Sequence, residues 1–229
     1  MSGPNRIAVV TGSSSGLGRA LAARFVAGGY LVVGLDIRTG EPLDGLTEIA
    51  ADITDASAVR VAFEQAAMLG ELELLVNAAG VYPRSTLASS SVEAYRRIFD
   101  VNVLGTVLPT QAFADIRDRE GRGCVINVAS VDGLNPTPKS VLYSASKAAV
   151  ISLTRGIADE LAAQNVRIFG VAPDYIATET VIELVGGKVP DSAATPEQVA
   201  ETCWDLSRTG SFALVTGETL VLRKNALDS

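Results

Sequence analysis

Apolar, β-branched residues recur in short blocks at positions 7–10, 31–36, 48–50, 74–77, 125–128, 167–171 and 219–222, each the length of a strand. Between them the apolar spacing changes to four. Leu17, Leu21 and Phe25 share one helical face, Val59, Phe63 and Ala67 a second, and Leu153, Ile157 and Leu161 a third. Ser90 with Glu93 predicts a capping box, and Thr195-Pro196-Glu197-Gln198 places a cap, a first-turn proline and a return glutamine together. Strand and helix alternating in this way predict an α/β fold, a parallel sheet with helices on both faces, because crossover connections are nearly always right-handed. No linker, repeat or low-complexity run divides residues 1–229, so one doubly wound domain is expected.

The first strand runs into "TGSSSGLG", with Gly12, Gly16 and Gly18 ahead of an amphipathic helix. That layout aims backbone N–H groups and the positive end of a helix at a pyrophosphate. Asp36 closes the second strand at the distance where a carboxylate accepts hydrogen bonds from adenosine ribose hydroxyls and repels a 2′-phosphate. Arg38 could greet such a phosphate or simply be a solvated surface charge; NAD is expected rather than NADP. Asp52, beside Ile53 in "AADIT", could reach the adenine edge or cap a helix.

Composition narrows the chemistry. The chain has 229 residues, a formal charge of −7 and no dense basic cluster, which argues against nucleic acid as a partner. The start "MSGPNRIAVVTG" lacks a signal-type apolar core, and no run approaches a membrane span, so a cytoplasmic protein without membrane partners is expected. Cys124 and Cys203 are the two thiols and are expected reduced and structural. There is no histidine, which removes the commonest general base and the commonest metal ligand; no metal is expected.

Tyr143 and Lys147 offer a substitute base. Four residues apart on a helix, they stand on the same face. An ammonium about 5 Å from the phenol, at an effective dielectric near 20, contributes roughly 3 kcal/mol and would lower the phenol pKa by about 2 units. The alternative is a part-buried ring beside a snorkelling surface amine. The run "CVINVAS" ends at Ser130, which would expose a hydroxyl where a parallel strand opens to ligand.

Taken in order, Thr11–Gly18, "NAAG" at 77–80, Asn102 in "VNVLG", Ser130, and "YSASK" from Tyr143 to Lys147 resemble the short-chain dehydrogenase/reductase family over nearly the whole chain. The resemblance implies a Rossmann-fold sheet of seven strands in the order 3-2-1-4-5-6-7. It implies a catalytic set of Asn102, Ser130, Tyr143 and Lys147 and a nicotinamide dinucleotide. That cofactor would be held by Gly12, Ser14, Ser15, Gly16, Leu17, Gly18, Asp36, Asp52, Ile53, Asn77, Ala78, Ala79, Gly80, Tyr143, Lys147, Pro173, Ile176 and Thr178. Lys147 would bind the nicotinamide ribose, Asn102 would anchor a water feeding protons to Lys147, and the substrate would be a small alcohol or ketone. A homodimer or homotetramer would form through residues 103–116 and 146–163, whose many apolar residues could otherwise be buried against the sheet within one subunit.

The sequence departs from the family at three places. Asp174 stands where the family has glycine after Pro173, and its carboxylate could bind a substrate hydroxyl or amine or face water. The substrate lid, at about 178–195, is short. The end, "LVLRKNALDS", lacks the family's Asp-Gly-Gly turn. Tyr82, Arg84, Asp132 and Asn135 are candidates for the substrate pocket. An NAD-dependent oxidoreductase acting on a secondary alcohol or ketone is expected; the alternative is a dinucleotide-binding regulatory or non-redox protein that keeps the fold.

Overall fold

The structure is a computed structural model that describes residues 5–184, 186–187, 189–191, 193–208 and 215–223. In chain order it contains β1 (Arg6–Thr11), α1 (Gly16–Ala27), β2 (Leu31–Asp36), β3 (Leu46–Ala50), α2 (Ala56–Ala67), β4 (Glu71–Asn77) and α3 (Val92–Phe99). A π-turn over Asp100–Leu104 leads into α4 (Gly105–Ile116), then β5 (Gly123–Val128), α5 (Val141–Gly156), α6 (Ala158–Ala162) and β6 (Val166–Pro173). The chain continues through α7 (Glu179–Leu184), α8 (Pro196–Ser207) and β7 (Thr219–Leu222). The strands form one seven-stranded sheet, β3-β2-β1-β4-β5-β6-β7, and every neighbouring pair is parallel.

The period-two pleat of β1 sends Ile7 and Val9 to one face and Ala8 and Val10 to the other, so each face needs its own helical cover. Phe63 of α2 and Phe113 of α4 fill the first layer; Phe25 of α1, with α8 beside it, fills the second. All three rings are fully buried. Gly28, after α1, is set by this second layer: a Cβ there would overlap the Trp204 indole. Both thiols are buried, and burial pushes each up to about 12, which leaves them structural and unreactive.

Two local expectations shift. The first cap of α3 is Ser91, whose hydroxyl accepts from the Ala94 N–H, rather than Ser90. Ser90 instead donates to the Thr86 carbonyl oxygen at 2.7 Å and ends the preceding turn. The helix expected over 146–163 breaks at Ile157 (φ −101°, ψ 4°), directly after Gly156, into α5 and α6. The capping box at Thr195 and Gln198 is present as expected. Val185, Lys188 and Ser192 in the lid, and the tail 224–229, lie outside the described residues. Among the described residues no helix is long and apolar enough to cross a membrane.

Truncating Phe113 to alanine should cost about 3–5 kcal/mol in urea unfolding, because its ring fills a closed layer. Asp55→Ala should cost only about 1 kcal/mol, since Asp55 caps α2 by accepting from the Ser57 and Ala58 N–H groups at an exposed helix start.

Candidate active site

The carboxyl ends of the strands open into a cleft of about 790 Å³, running from Asp36 and Asp52 past Gly12–Gly18 to Tyr143 and on to Asp174. It lies where the sheet order reverses, between β1 and β4. The glycine turn is built tightly. Gly12 has φ +72° and a Cβ there would lie 2.8 Å from the Ala79 Cα, while a Cβ on Gly18 would overlap the Gly12 carbonyl oxygen. Thr11 Oγ1 accepts from the Ala78 and Ala79 N–H groups at 3.0 and 3.1 Å, fastening the loop after β4 to the end of β1.

The start of α1 is left open. Ser15, its cap residue, makes no side-chain capping bond and the first turn carries no acid, whereas Asp55 and Thr195 cap α2 and α8. Unspent N–H groups beside a turn that excludes side chains fit a pyrophosphate. The Asp36 carboxylate is fixed by the Ser14 and Arg38 N–H groups, each at 3.1 Å. Asp52 caps no helix: its Oδ1 accepts from the Thr54 N–H and hydroxyl at 2.9 and 2.7 Å, and it lines the cleft beside Ile53. Pro173, at the end of β6, and Ile176 and Thr178 after it line the cleft too, with Thr178 Cγ2 3.5 Å from where a Gly16 Cβ would stand.

At the inner end Ser130 and Tyr143 both line the cleft, near enough for the Ser130 hydroxyl to act on the phenol. Lys147, one turn further along α5, buries its ammonium 5.9 Å from the Tyr143 ring centroid and donates to the Val128 carbonyl oxygen at 2.7 Å. The Tyr82 ring meets Tyr143 edge-on at 6.3 Å. Arg84, Asp132, Asn135 and Asp174 all line the outer part of the cleft.

Of the residues expected to bind cofactor or act in catalysis, Asn77, Asn102 and Ser14 do not line the cleft. Asn77 donates to Thr110 Oγ1 and Asn127 Oδ1 at 3.0 and 2.8 Å, behind the loop that it was expected to serve. Asn102, turned inward by the π-turn, accepts from the Val81 N–H at 2.8 Å and donates to the Val81 carbonyl oxygen at 2.9 Å and Ser146 Oγ at 3.0 Å. Its amide thus clamps the loop after β4 that carries Gly80. Asn127, which sequence reading missed, extends this buried network by donating to Thr154 Oγ1 at 2.9 Å. Only its alternation with apolar neighbours in β5 hinted at a polar side chain facing inward.

A family model described as short chain dehydrogenase matches residues 6–188. The chain belongs to the short-chain dehydrogenase family. It is 31% identical to a 3-oxoacyl-[acyl-carrier-protein] reductase of Synechocystis, over 93% of this chain and 94% of that one. It is 33% identical to the meso-2,3-butanediol dehydrogenase of Serratia marcescens, over 76% and 72%. It spans only 43% of an uncharacterized short-chain type dehydrogenase/reductase of Sinorhizobium fredii, at 32% identity over 96% of its own length. The crystal structure of a 3-ketoacyl-(acyl-carrier-protein) reductase from Brucella melitensis complexed with NADH superposes with a TM-score of 0.84 at 27% identity, covering 96% of this chain and 97% of that one.

One expectation about this short-chain dehydrogenase is overturned by its electrostatics. The Lys147 charge was expected to lower the Tyr143 phenol, but burial dominates and pushes it up to about 12. The Ser130 hydroxyl offsets this in part; the Asp132 and Tyr82 charges add to it. Burial also pulls Lys147 down to about 8. Lys147 is buried and Tyr143 partly so, and for both groups the loss of water is the larger effect.

Lys147 should therefore make folding stability depend on pH. From about 8 to 10.5 the unfolded chain keeps the lysine proton that the folded chain releases, so the unfolded state binds more protons and stability rises with pH. Urea unfolding at successive pH values across that window should show wild type gaining on Lys147→Met; parallel curves would contradict the burial assignment.

Proposed function

We propose that this protein is an NAD-dependent oxidoreductase that interconverts a secondary alcohol and the corresponding ketone. The observation that carries the reading is the Tyr143 phenol, set beside Ser130 at the inner end of a cleft whose glycine turn fits a dinucleotide. Ketone reductases and a diol dehydrogenase among its relatives support it.

In this reading the turn Gly12–Gly18 holds the pyrophosphate, and Asp36 the adenosine ribose. Asp52 and Ile53 flank the adenine, and Ala78–Gly80 form the floor. Lys147 holds the nicotinamide ribose, and Pro173, Ile176 and Thr178 hold the carboxamide. The bound nicotinamide supplies or accepts the hydride. With its pKa at about 12, Tyr143 keeps its proton at ordinary pH and is an acid ready to protonate a carbonyl oxygen. The Ser130 hydroxyl stabilises the charge that grows on the same oxygen. Lys147, held by the Val128 carbonyl oxygen, places a cation beneath the phenol for the reverse step. Asn102 keeps Val81, and with it the loop at Gly80, in place.

NAD is assigned because the fixed Asp36 carboxylate would meet a 2′-phosphate with like charge. A single unit carries both cofactor and substrate, with α7 as its lid, and the outer faces of α4 and α5 form the contact between subunits.

Reduced-nicotinamide absorbance over a panel of secondary alcohols and ketones should reveal turnover favouring NAD(H) over NADP(H) by about tenfold or more. Tyr143→Phe should lower kcat by about 100-fold or more while still binding NADH. Turnover undiminished in Tyr143→Phe would sink the mechanism, and a preference for NADP(H) would sink the cofactor assignment. Light scattering should return a dimer or tetramer; a monomer would reject the subunit contact.

A further inference from the structure

Beyond Ser130 and Tyr143 the cleft changes character. Asp132 lies two residues past Ser130 in a short 3-10 turn, and Asp174 lies one residue past Pro173 at the end of β6. Both line the cleft, and they are close enough for the Asp174 charge to act on Asp132. The position of Asp174 needs no glycine: the non-glycine residues with positive φ among those described are Lys139 and Asn165. Its main-chain N–H is fixed by the Leu222 carbonyl oxygen at 3.0 Å, so the carboxylate hangs from an anchored backbone.

Asp132 is held by hydroxyls. Thr137 Oγ1 donates to its two oxygens at 3.2 and 3.3 Å, and Ser140 stands near enough to act on it. A carboxylate accepts about four hydrogen bonds, so both acids retain free acceptor sites facing the cleft. Asp174 approaches Arg223 at 3.8 Å, too far for a tight pair, and Arg84 lies on the same rim. Two carboxylates opposed by two guanidiniums leave this end close to neutral while densely supplied with acceptors and donors. An apolar chain would strip water from these groups without replacing its hydrogen bonds. A hydroxyl, which donates and accepts, satisfies both kinds.

We propose that Asp132 and Asp174 accept hydrogen bonds from hydroxyls flanking the reacting carbon, so that the substrate is an uncharged polyol or the matching ketose. This rests on the oxidoreductase reading above and narrows it.

The test compares oxidation of xylitol, sorbitol and galactitol with that of 2-pentanol and 2-hexanol by the NAD-loaded wild type and by Asp174→Gly and Asp132→Asn. Wild type should favour at least one polyol in kcat/KM, and either substitution should reduce the polyol-to-alkanol ratio by about tenfold. Binding is read separately by titrating the NADH-loaded proteins with the same compounds and following nicotinamide fluorescence. Circular dichroism checks that each variant is folded; Asp132→Asn retains the side-chain volume, and Asp174→Gly restores the family residue.

A preference for alkanols, or a ratio that neither substitution moves, overturns the inference and leaves the oxidoreductase reading intact. Saturable polyol binding that both substitutions weaken, without turnover of any compound, supports the inference and overturns that reading. A preference for amino alcohols over the polyols also overturns it, since it would mean that the carboxylates serve a cation.

Discussion

The strand order reverses between β1 and β4, and two adjacent parallel strands at that point must send their following segments to opposite faces. Their carboxyl ends are therefore left uncovered, and a crevice opens that no side-chain choice has to create. What the sequence must do is keep it from collapsing. Thr11 does so by accepting from two N–H groups of the neighbouring loop, and Gly12 by allowing that loop to approach within van der Waals range. Everything that follows, from the open start of α1 to the part-buried Tyr143, is arranged around this gap.

Behind the crevice stands a polar scaffold. Asn77, Thr110, Asn127 and Thr154 hand hydrogen bonds from β4 to α4 and from β5 to α5 inside an otherwise apolar sandwich. Such bonds contribute little net stability, but leaving any partner unmatched is costly, so they fix where α4 and α5 sit against the sheet. Since α5 carries Tyr143 and Lys147, the scaffold sets the depth of the reactive phenol without touching it.

The fold was legible because its signals are periodic. Blocks of β-branched residues separated by four-spaced apolar faces leave little choice but alternating strands and helices, and the glycine turn marked the cofactor end. Less visible were features decided by tertiary contact. Asn77 reads as a cofactor residue from its place in "NAAG", yet it turns away toward Thr110 and Asn127. The π-turn that points Asn102 inward has no local spacing to betray it. The pKa of Tyr143 was misjudged because sequence supplies the distance to a charge but not the exclusion of water, and here the second effect is the larger.

The lid is tied at both of its roots. Ile176 pairs with Ala194 as an isolated parallel bridge, and the Ala177 and Ala194 N–H groups donate to the Ala194 and Tyr175 carbonyl oxygens, both at 2.9 Å. A segment clipped shut at its base behaves as a cassette. Its length enters the folding free energy only logarithmically, so residues can be added or removed between the clips at a cost of about 0.6 kcal/mol per doubling. The clips share the cleft wall with the first residues of the cassette, Thr178, Thr180 and Val181. Insertion and deletion between the clips can thus reshape this end of the cleft while the glycine turn and α5, which are built elsewhere in the chain, stay as they are.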